Sequence, residues 1–342
     1  MPPDDPVPGA ADAARLFQLA TAHWVPQALY VCAKLEVAER LEDGPRPSAE
    51  IARLAGVPPE RLERVMRALS AVGVFEETAP GTFRQTALSS LLRADARPSL
   101  RPAILYLARD TVWAAWGRLL DAVRTGQPGF DLAHGVPAFD FGSTHPEHAA
   151  DFNRFMAASA SGRHEAVASG FDFARFGTLV DVGGGHGAMT IAILRRNPRL
   201  RGIVFDLPHA VAGCAPAAAE AGVAERCEAV AGSFFDRVPE GGDVYLLSQI
   251  LHDWDDATSV RILERCRRAM QPGGTLLLVE LVLPPLGTSP PAAFMDINMM
   301  VMLTGKERTE RAFSELLAAG GFRLERAIAT TAPQRILEAT AV

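Results

Sequence analysis

The chain has 342 residues, 48% of them apolar and 22% charged, the balance of a globular protein that buries well over half of its unfolded surface. At roughly 150 residues per domain, two domains are expected. Lys plus Arg is 34 against 40 Asp plus Glu, a net charge of −6, which excludes a chain whose main business is coating nucleic acid phosphate.

Residues 1–10, MPPDDPVPGA, carry acid and proline where a secretory signal needs a basic start and an apolar run. They are expected to form a disordered tail. No stretch reaches the ~18 consecutive apolar residues of a membrane span, and Cys32, Cys214, Cys227 and Cys266 form no Cys-x-x-Cys pair. A soluble cytoplasmic protein with no membrane partner is expected.

Over residues 11–42, Leu16, Leu19, Ala20, His23 and Trp24, then Leu29, Val31, Leu35, Val37 and Leu41, recur at three- and four-residue steps and predict helix. The apolar stripe is wide for a terminal segment, so a second subunit is expected to cover it in a homodimer. Between Ser48 and Leu92 the pattern is helix, turn, helix and two short strands, VFEE and TFRQT, a winged-helix outline. Arg61, Arg64 and Arg67 share one face of the would-be recognition helix, but Glu60 and Glu63 interleave with them, and pairing on a solvated face accounts for both. No nucleic acid partner is expected. Residues 11–100 read as one N-terminal domain and 101–170 as a helical connecting region, interrupted by a loop at GQPGFDLAHGVPAFDFGSTHPE. The spacing of His134, His145 and His148 fits no compact metal ligand set, and surface positions are expected for them.

From Phe171 the rhythm becomes strand then helix: TLVDV, AMTIAILRRN, GIVFD, a helix from about Val211, CEAVAG, DVYLLSQIL, a helix from about Thr258 to Met270, and TLLLVELVL. Apolar strands alternating with amphipathic helices predict an open α/β domain over residues 171–342, with its ligand at the carboxyl ends of the strands. TLVDV runs straight into Gly183-Gly184-Gly185-His186-Gly187, a turn that lets a ligand approach backbone closely. Asp206 closes the next strand, placed to accept from both hydroxyls of an adenosine ribose. The loop and Asp206 fit NAD and S-adenosylmethionine alike.

Further along stand Ala231-Gly-Ser-Phe-Phe-Asp236, Ser248-Gln-Ile-Leu-His-Asp-Trp254, Gln271-Pro-Gly-Gly and Gly305-Lys-Glu-Arg-Thr309. With DVGGGHG and FDLPH before them, this ordered set resembles the small-molecule O-methyltransferases related to caffeic acid and hydroxyindole O-methyltransferases, bacterial secondary-metabolite members included. The resemblance covers nearly the whole chain. It implies a C-terminal Rossmann-like methyltransferase domain, an N-terminal, mainly helical winged-helix dimerisation domain, S-adenosyl-L-methionine as cofactor and S-adenosyl-L-homocysteine as product.

The same resemblance marks His252 as general base. A phenol of pKa ~10 is a poor nucleophile at neutral pH, and an imidazole of pKa ~6.5 held against it can take the proton as oxygen attacks the methyl. Glu280 and Glu307 match the acidic positions flanking that histidine and are expected to hold its tautomer and offset its charge once it is protonated. Gly183, Gly185, Asp206 and Phe234 match the cofactor pattern, while Ser233 and Ser248 stand where plant members have Asp and Lys. A serine hydroxyl still offers a bond to adenine or backbone.

For the acceptor, Phe152, Asn153, Met156, Asp253, Met295, Asn298, Met299 and Met302 are the candidates, with Met300 beside them, and His23 and Trp24 are expected to reach in from the partner subunit. Asp255 and Asp256 read as caps of the helix near Thr258 rather than as a magnesium site. No metal is expected. Two rivals remain open: a relative repurposed for hydroxylation, decarboxylation or rearrangement, and a winged-helix regulator that senses a metabolite. An NAD oxidoreductase rests on the glycine loop alone.

Overall fold

The structure, a computed structural model, describes residues 9–287 and 289–342; residues 1–8 of the expected tail lie outside the described residues. The chain divides into two compact units, one running up to Trp113 and including Gly142–Ser159, the other comprising Ala114–Phe141 and Ala160–Val342.

In the first unit the expected 11–42 helix is broken. Helix Ala10–Thr21 ends in a turn, Trp24–Lys34 follows, and Glu39–Leu41 is a single 3-10 turn. Pro26 accounts for the first break, since proline near a helix start cannot donate into a preceding one. Helices Ser48–Ala55 and Pro59–Ser70 and a three-stranded sheet of Arg46–Pro47, Thr82–Gln85 and Phe75–Ala79 complete the winged-helix outline. Ile51, Leu62, Met66, Leu69, Phe75 and Phe83 close its core. Arg67 is spent on Glu63 at 2.7 Å and Glu77 at 3.0 Å. No residue of Ala10–Thr21 is buried, and Leu16, Phe17 and Leu19 are 69%, 68% and 58% exposed.

The stretch read as a loop contains two short helices, Gly129–His134 and Ala138–Thr144. Pro128 just ahead of the first helix and Gly135, left-handed at φ +76°, just after it limit that helix without abolishing it. His134 packs on Phe130 and Phe141. His148, expected at the surface, is buried: its Nδ1 lies 3.2 Å from the Thr111 hydroxyl and its ring meets Tyr106 edge-on.

The second unit is built on a seven-stranded sheet: β1 Thr178–Val182, β2 Arg201–Asp206, β3 Cys227–Ala231, β4 Val244–Ser248, β5 Thr275–Glu280, β6 Phe322–Ala329 and β7 Arg335–Ala341. Its order is β6-β7-β5-β4-β1-β2-β3, with β7 alone antiparallel to its neighbours. Side chains alternate along each strand, so one face presents Val180, Val182, Tyr245, Leu247, Leu276 and Leu278 to helices Asp256–Ala269 and Glu310–Ala319. The other presents Leu179, Val244, Leu246, Leu277 and Val279 to helix Ala188–Arg196. Both faces are covered, and each buried aliphatic side chain contributes about 1.5–3 kcal/mol. Strand order reverses between β1 and β4, the switch point at whose carboxyl ends open α/β sheets place their ligand crevice.

Among the described residues no helix is long and apolar enough to cross a membrane.

Candidate active site

The crevice is lined first by the turn after β1. Gly183 is left-handed at φ +77°, and a Cβ there would lie 2.4 Å from Ile250 Cδ1 and 3.7 Å from the Phe234 ring. Gly183, Phe234 and Ile250, from the ends of β1, β3 and β4, are thereby brought together. At Gly185, φ +55°, a Cβ would meet nothing within 4 Å, so the backbone lies open beneath a cradle. Asp206 Oδ2 accepts from Gly185 N at 2.9 Å and Oδ1 from Leu207 N at 2.7 Å. Each carboxylate oxygen keeps a further lone pair for a ligand hydroxyl.

Among the described residues three buried polar atoms at this site lack partners, the Ser248 hydroxyl at the end of β4, Arg163 Nε and Glu307 Oε2. Arg163 Nη1 donates to Gln249 Oε1 at 3.0 Å, and burial lowers the guanidinium's pKa. Ser233 instead accepts from Phe235 N at 3.2 Å, bracing its own turn. Orphaned buried donors are rare in proteins. With the cradle at Gly185 and the Asp206 carboxylate, they fit a ligand carrying a ribose, a heteroaromatic base and an anionic tail.

His252 sits on the 3-10 turn Leu251–Asp253 that follows β4. It is buried, with Nδ1 3.0 Å from Glu307 Oε1 and Nε2 3.3 Å from Asp253 Oδ1. Both ring nitrogens thus face carboxylates. Burial alone would lower the ring's pKa, but Asp253, the Glu307 hydrogen bond and the charge of Glu280 outweigh it and push it up to about 10. Burial in turn pushes Glu280 up to about 7 and Asp253 to about 6, with His252 opposing both shifts.

Glu280 offsets the ring's charge as expected but makes its hydrogen bonds elsewhere. Its Oε1 accepts from the backbone N–H groups of Ile250 at 3.2 Å and Leu251 at 3.0 Å, and its Oε2 from Gln249 Nε2 at 3.4 Å. It holds the turn that carries His252 rather than the ring. Asp253, expected against the acceptor, is the carboxylate beside Nε2. Glu307 is held from behind, its N–H donating to Asp296 Oδ1 at 2.9 Å.

Arg163, Gln249 and Arg308 were not foreseen as parts of this site. Gln249 is a non-glycine residue at φ +55°, a strained conformation that the Arg163 and Glu280 contacts maintain. Arg308 is buried; its Nη1 donates to Leu251 O at 2.7 Å and its Nη2 to Trp254 O at 2.8 Å and Asp256 Oδ1 at 2.8 Å. Lys306 Nζ also goes to Asp256, at 2.7 Å, so both cations beside Glu307 leave it to the histidine. Asp255 caps its helix as expected, accepting from Thr258 N at 2.7 Å, whereas Asp256 serves these cations instead.

On helix Pro290–Met302, Met299 and Met302 are buried, Asn298 is half-buried and Met295 is 40% exposed. Phe152, Asn153 and Met156 belong to the first unit, where Phe152 packs against Tyr106. Trp24 is 62% exposed, with the His23 ring set edge-on to it.

The family model of the O-methyltransferase domain matches residues 116–323, and that of the O-methyltransferase dimerisation domain matches residues 17–95. A phenazine O-methyltransferase of Lysobacter antibioticus is 43% identical over 95% of this chain and 95% of its own. The solved structure of a mitomycin 7-O-methyltransferase superposes with a TM-score of 0.93 at 34% identity, covering 97% of this chain and 98% of that one. An O-methyltransferase from neocarzinostatin biosynthesis, solved with S-adenosylmethionine and 2-hydroxy-5-methyl naphthoic acid, gives 0.82 at 33% identity over 93% and 96% of the two chains.

Proposed function

Since the chain belongs to the O-methyltransferase family, we propose that it moves a methyl group from S-adenosyl-L-methionine to a hydroxyl of an aromatic or polyketide-like small molecule, with His252 as general base and S-adenosyl-L-homocysteine as product. The observation that carries this reading is the His252–Glu307 contact of 3.0 Å, set two residues beyond the Ile250 side chain that packs on Gly183. The cofactor, when bound, supplies a methyl already activated on a sulfonium. In this reading Asp206 accepts from the ribose, Phe234 packs on the adenine, Ser233 and Ser248 lend hydroxyls, and Gly183 and Gly185 admit the chain of the cofactor. Arg163 offers its orphan N–H to the carboxylate.

Glu307 fixes the proton on Nδ1, leaving Nε2 to take the acceptor's proton. Asp253 shares that proton while the ring is charged, and turns toward the acceptor hydroxyl when the ring is neutral. In this reading Met295, Met299 and Met302 contribute the apolar wall, soft side chains suited to an aromatic ring. The reading gives no role to a metal. It assigns residues 11–100 to dimerisation, 101–170 to linkage and the pocket, and 171–342 to catalysis. The exposed Leu16, Phe17 and Trp24 face is the surface the partner covers, with His23 and Trp24 near the partner's pocket. Because Arg67 is already paired with Glu63 and Glu77, the winged-helix outline serves pairing rather than DNA.

The test is calorimetric titration with S-adenosylmethionine, S-adenosylhomocysteine and NAD, read beside mass spectrometry of phenolic acceptors for a gain of one methyl. Binding of the two sulfur nucleotides with a methylated product is expected; binding of neither overturns the reading. Asp206→Ala is expected to weaken both nucleotides by about 100-fold, the loss of two charge-assisted hydrogen bonds. Unchanged affinity takes the ribose away from Asp206.

A pH dependence follows from the ring's environment. His252 is held as imidazolium up to about 10 in the free enzyme, and only the neutral ring accepts a proton. kcat/KM, which reports the free enzyme, is therefore expected to climb with pH across the neutral range toward that value. The positive sulfonium opposes the imidazolium, so kcat levels off at lower pH than kcat/KM does. A kcat/KM profile flat from neutral pH upward contradicts the proposed protonation.

A further inference from the structure

Helix Pro290–Met302, sequence PPAAFMDINMMVM, carries only two polar side chains, Asp296 and Asn298. Asp296 is spent on the N–H of Glu307 at 2.9 Å. Asn298 sits among methionines, two of them, Met299 and Met302, buried. Its amide oxygen is taken by Trp116, whose Nε1 donates to Oδ1 at 3.2 Å across a separation of 182 residues.

That contact determines which way the amide faces. An indole N–H can only donate, so it selects the oxygen of the amide and never the nitrogen. The Nδ2 group is thereby turned to the other side, carrying two donors. Among the described residues it has no protein partner, and it is not sealed from solvent. A half-buried donor in an apolar, Met-lined wall is a recognition element waiting for an acceptor of hydrogen bonds.

We infer that Asn298, oriented by Trp116, selects aromatic substrates that carry a hydrogen-bond acceptor on the ring system, a carbonyl oxygen, a carboxylate or a ring nitrogen, over plain phenols. The inference rests on the proposed reading in one respect, that the acceptor molecule lies against helix Pro290–Met302. Asn298 is then a specificity residue and Trp116 its positioning residue. A site built to donate a hydrogen bond discriminates strongly against an analogue that cannot accept one, because the donor is left unpaired.

The experiment uses the full chain saturated with S-adenosylhomocysteine and titrates three probes: a hydroxynaphthoate, a hydroxyquinoline and an unsubstituted naphthol. The intact protein is expected to bind the first two at least ~10-fold more tightly than the naphthol. Asn298→Asp keeps an oxygen for Trp116 but replaces the donor by a second carboxylate oxygen, so the hydroxynaphthoate is expected to fall below the naphthol. A merely structural role for Asn298 does not invert that order. Trp116→Phe preserves the apolar wall but frees the amide to turn over, and is expected to reduce the discrimination to about 3-fold or less. It provides an independent check should the aspartate variant fold poorly.

Naphthol binding as tightly as the other probes to the intact protein, binding of none of the three, or an unchanged order in Asn298→Asp overturns the inference. Methyl transfer to the same probes, run in parallel with S-adenosylmethionine, separates the two ideas. Methylation without discrimination sinks the selectivity and leaves the methyltransferase reading intact. Discrimination without any methyl gain does the reverse.

Discussion

His252→Ala is expected to lower kcat by about 100- to 10,000-fold, the span for loss of a general base, while S-adenosylhomocysteine affinity stays within about 3-fold of the intact protein. The split follows from the anatomy of the crevice. The proposed cofactor cradle is made by Gly183, Gly185 and Asp206 at the ends of β1 and β2, whereas His252 hangs from the end of β4. The variant also leaves Glu280, Asp253 and Glu307 without the cation they surround. Because the folded ring titrates at about 10, above its ordinary value of 6.5, its ionisation stabilises the fold fully below the ordinary value, and that contribution is lost as pH rises through the folded one. The difference in Tm between intact protein and variant should therefore be widest near pH 6.5 and narrow toward pH 10. Turnover that survives the substitution removes His252 from the chemistry.

How much of this could be read beforehand depends on how local each feature is. The glycine turn and the place of Asp206 at the end of β2 were legible because a tight turn and a strand end leave local marks within one β-α-β unit. The alternating strands were legible for the same reason, but the reversed β7 was not: its partner register with β5, Leu337 opposite Leu278, is a long-range choice. The His252–Glu307 contact spans 55 residues and no spacing predicts it; the family resemblance supplied the pairing, while the hydrogen bonds of Glu280 to the turn at Ile250 and Leu251 emerge only in the fold. Arg163 and Arg308 were invisible for a compositional reason. In a chain with 34 cationic residues, nearly all arginine, no single Arg carries a signal until its guanidinium is seen buried. Trp116 and Asn298 meet only through helix packing.

The charges around His252 also explain why so much of the local structure is devoted to one short turn. Three carboxylates and one imidazole in a buried space need fixed distances, since their mutual energy changes steeply with separation at low dielectric. Glu280 takes the N–H groups of Ile250 and Leu251, and Arg308 takes the carbonyls of Leu251 and Trp254. Neither touches the ring. Their common effect is to hold the backbone on both sides of His252 so that the Glu307 contact persists.

Gly305→Ala tests that arrangement without altering any titratable group. Gly305 lies in the loop between helix Pro290–Met302 and Glu307, and a Cβ there would stand 1.9 Å from His252 O, 2.5 Å from Asp253 C and 2.6 Å from Trp254 N. All three are backbone atoms, so no side chain can rotate away, and either the loop or the His252 turn must retreat by about an ångström. A displacement of that size in a catalytic group costs on the order of 100-fold. kcat is accordingly expected to fall by at least ~100-fold, with a lowered Tm and with S-adenosylhomocysteine affinity nearly unchanged. Gly185→Ala supplies the contrast: its Cβ enters open space on the cofactor side, so it should weaken nucleotide binding and leave the protonation of His252 alone. Wild-type turnover in Gly305→Ala means that the loop yields without moving the base, and then the 3.0 Å contact between His252 and Glu307 is not what the loop exists to maintain.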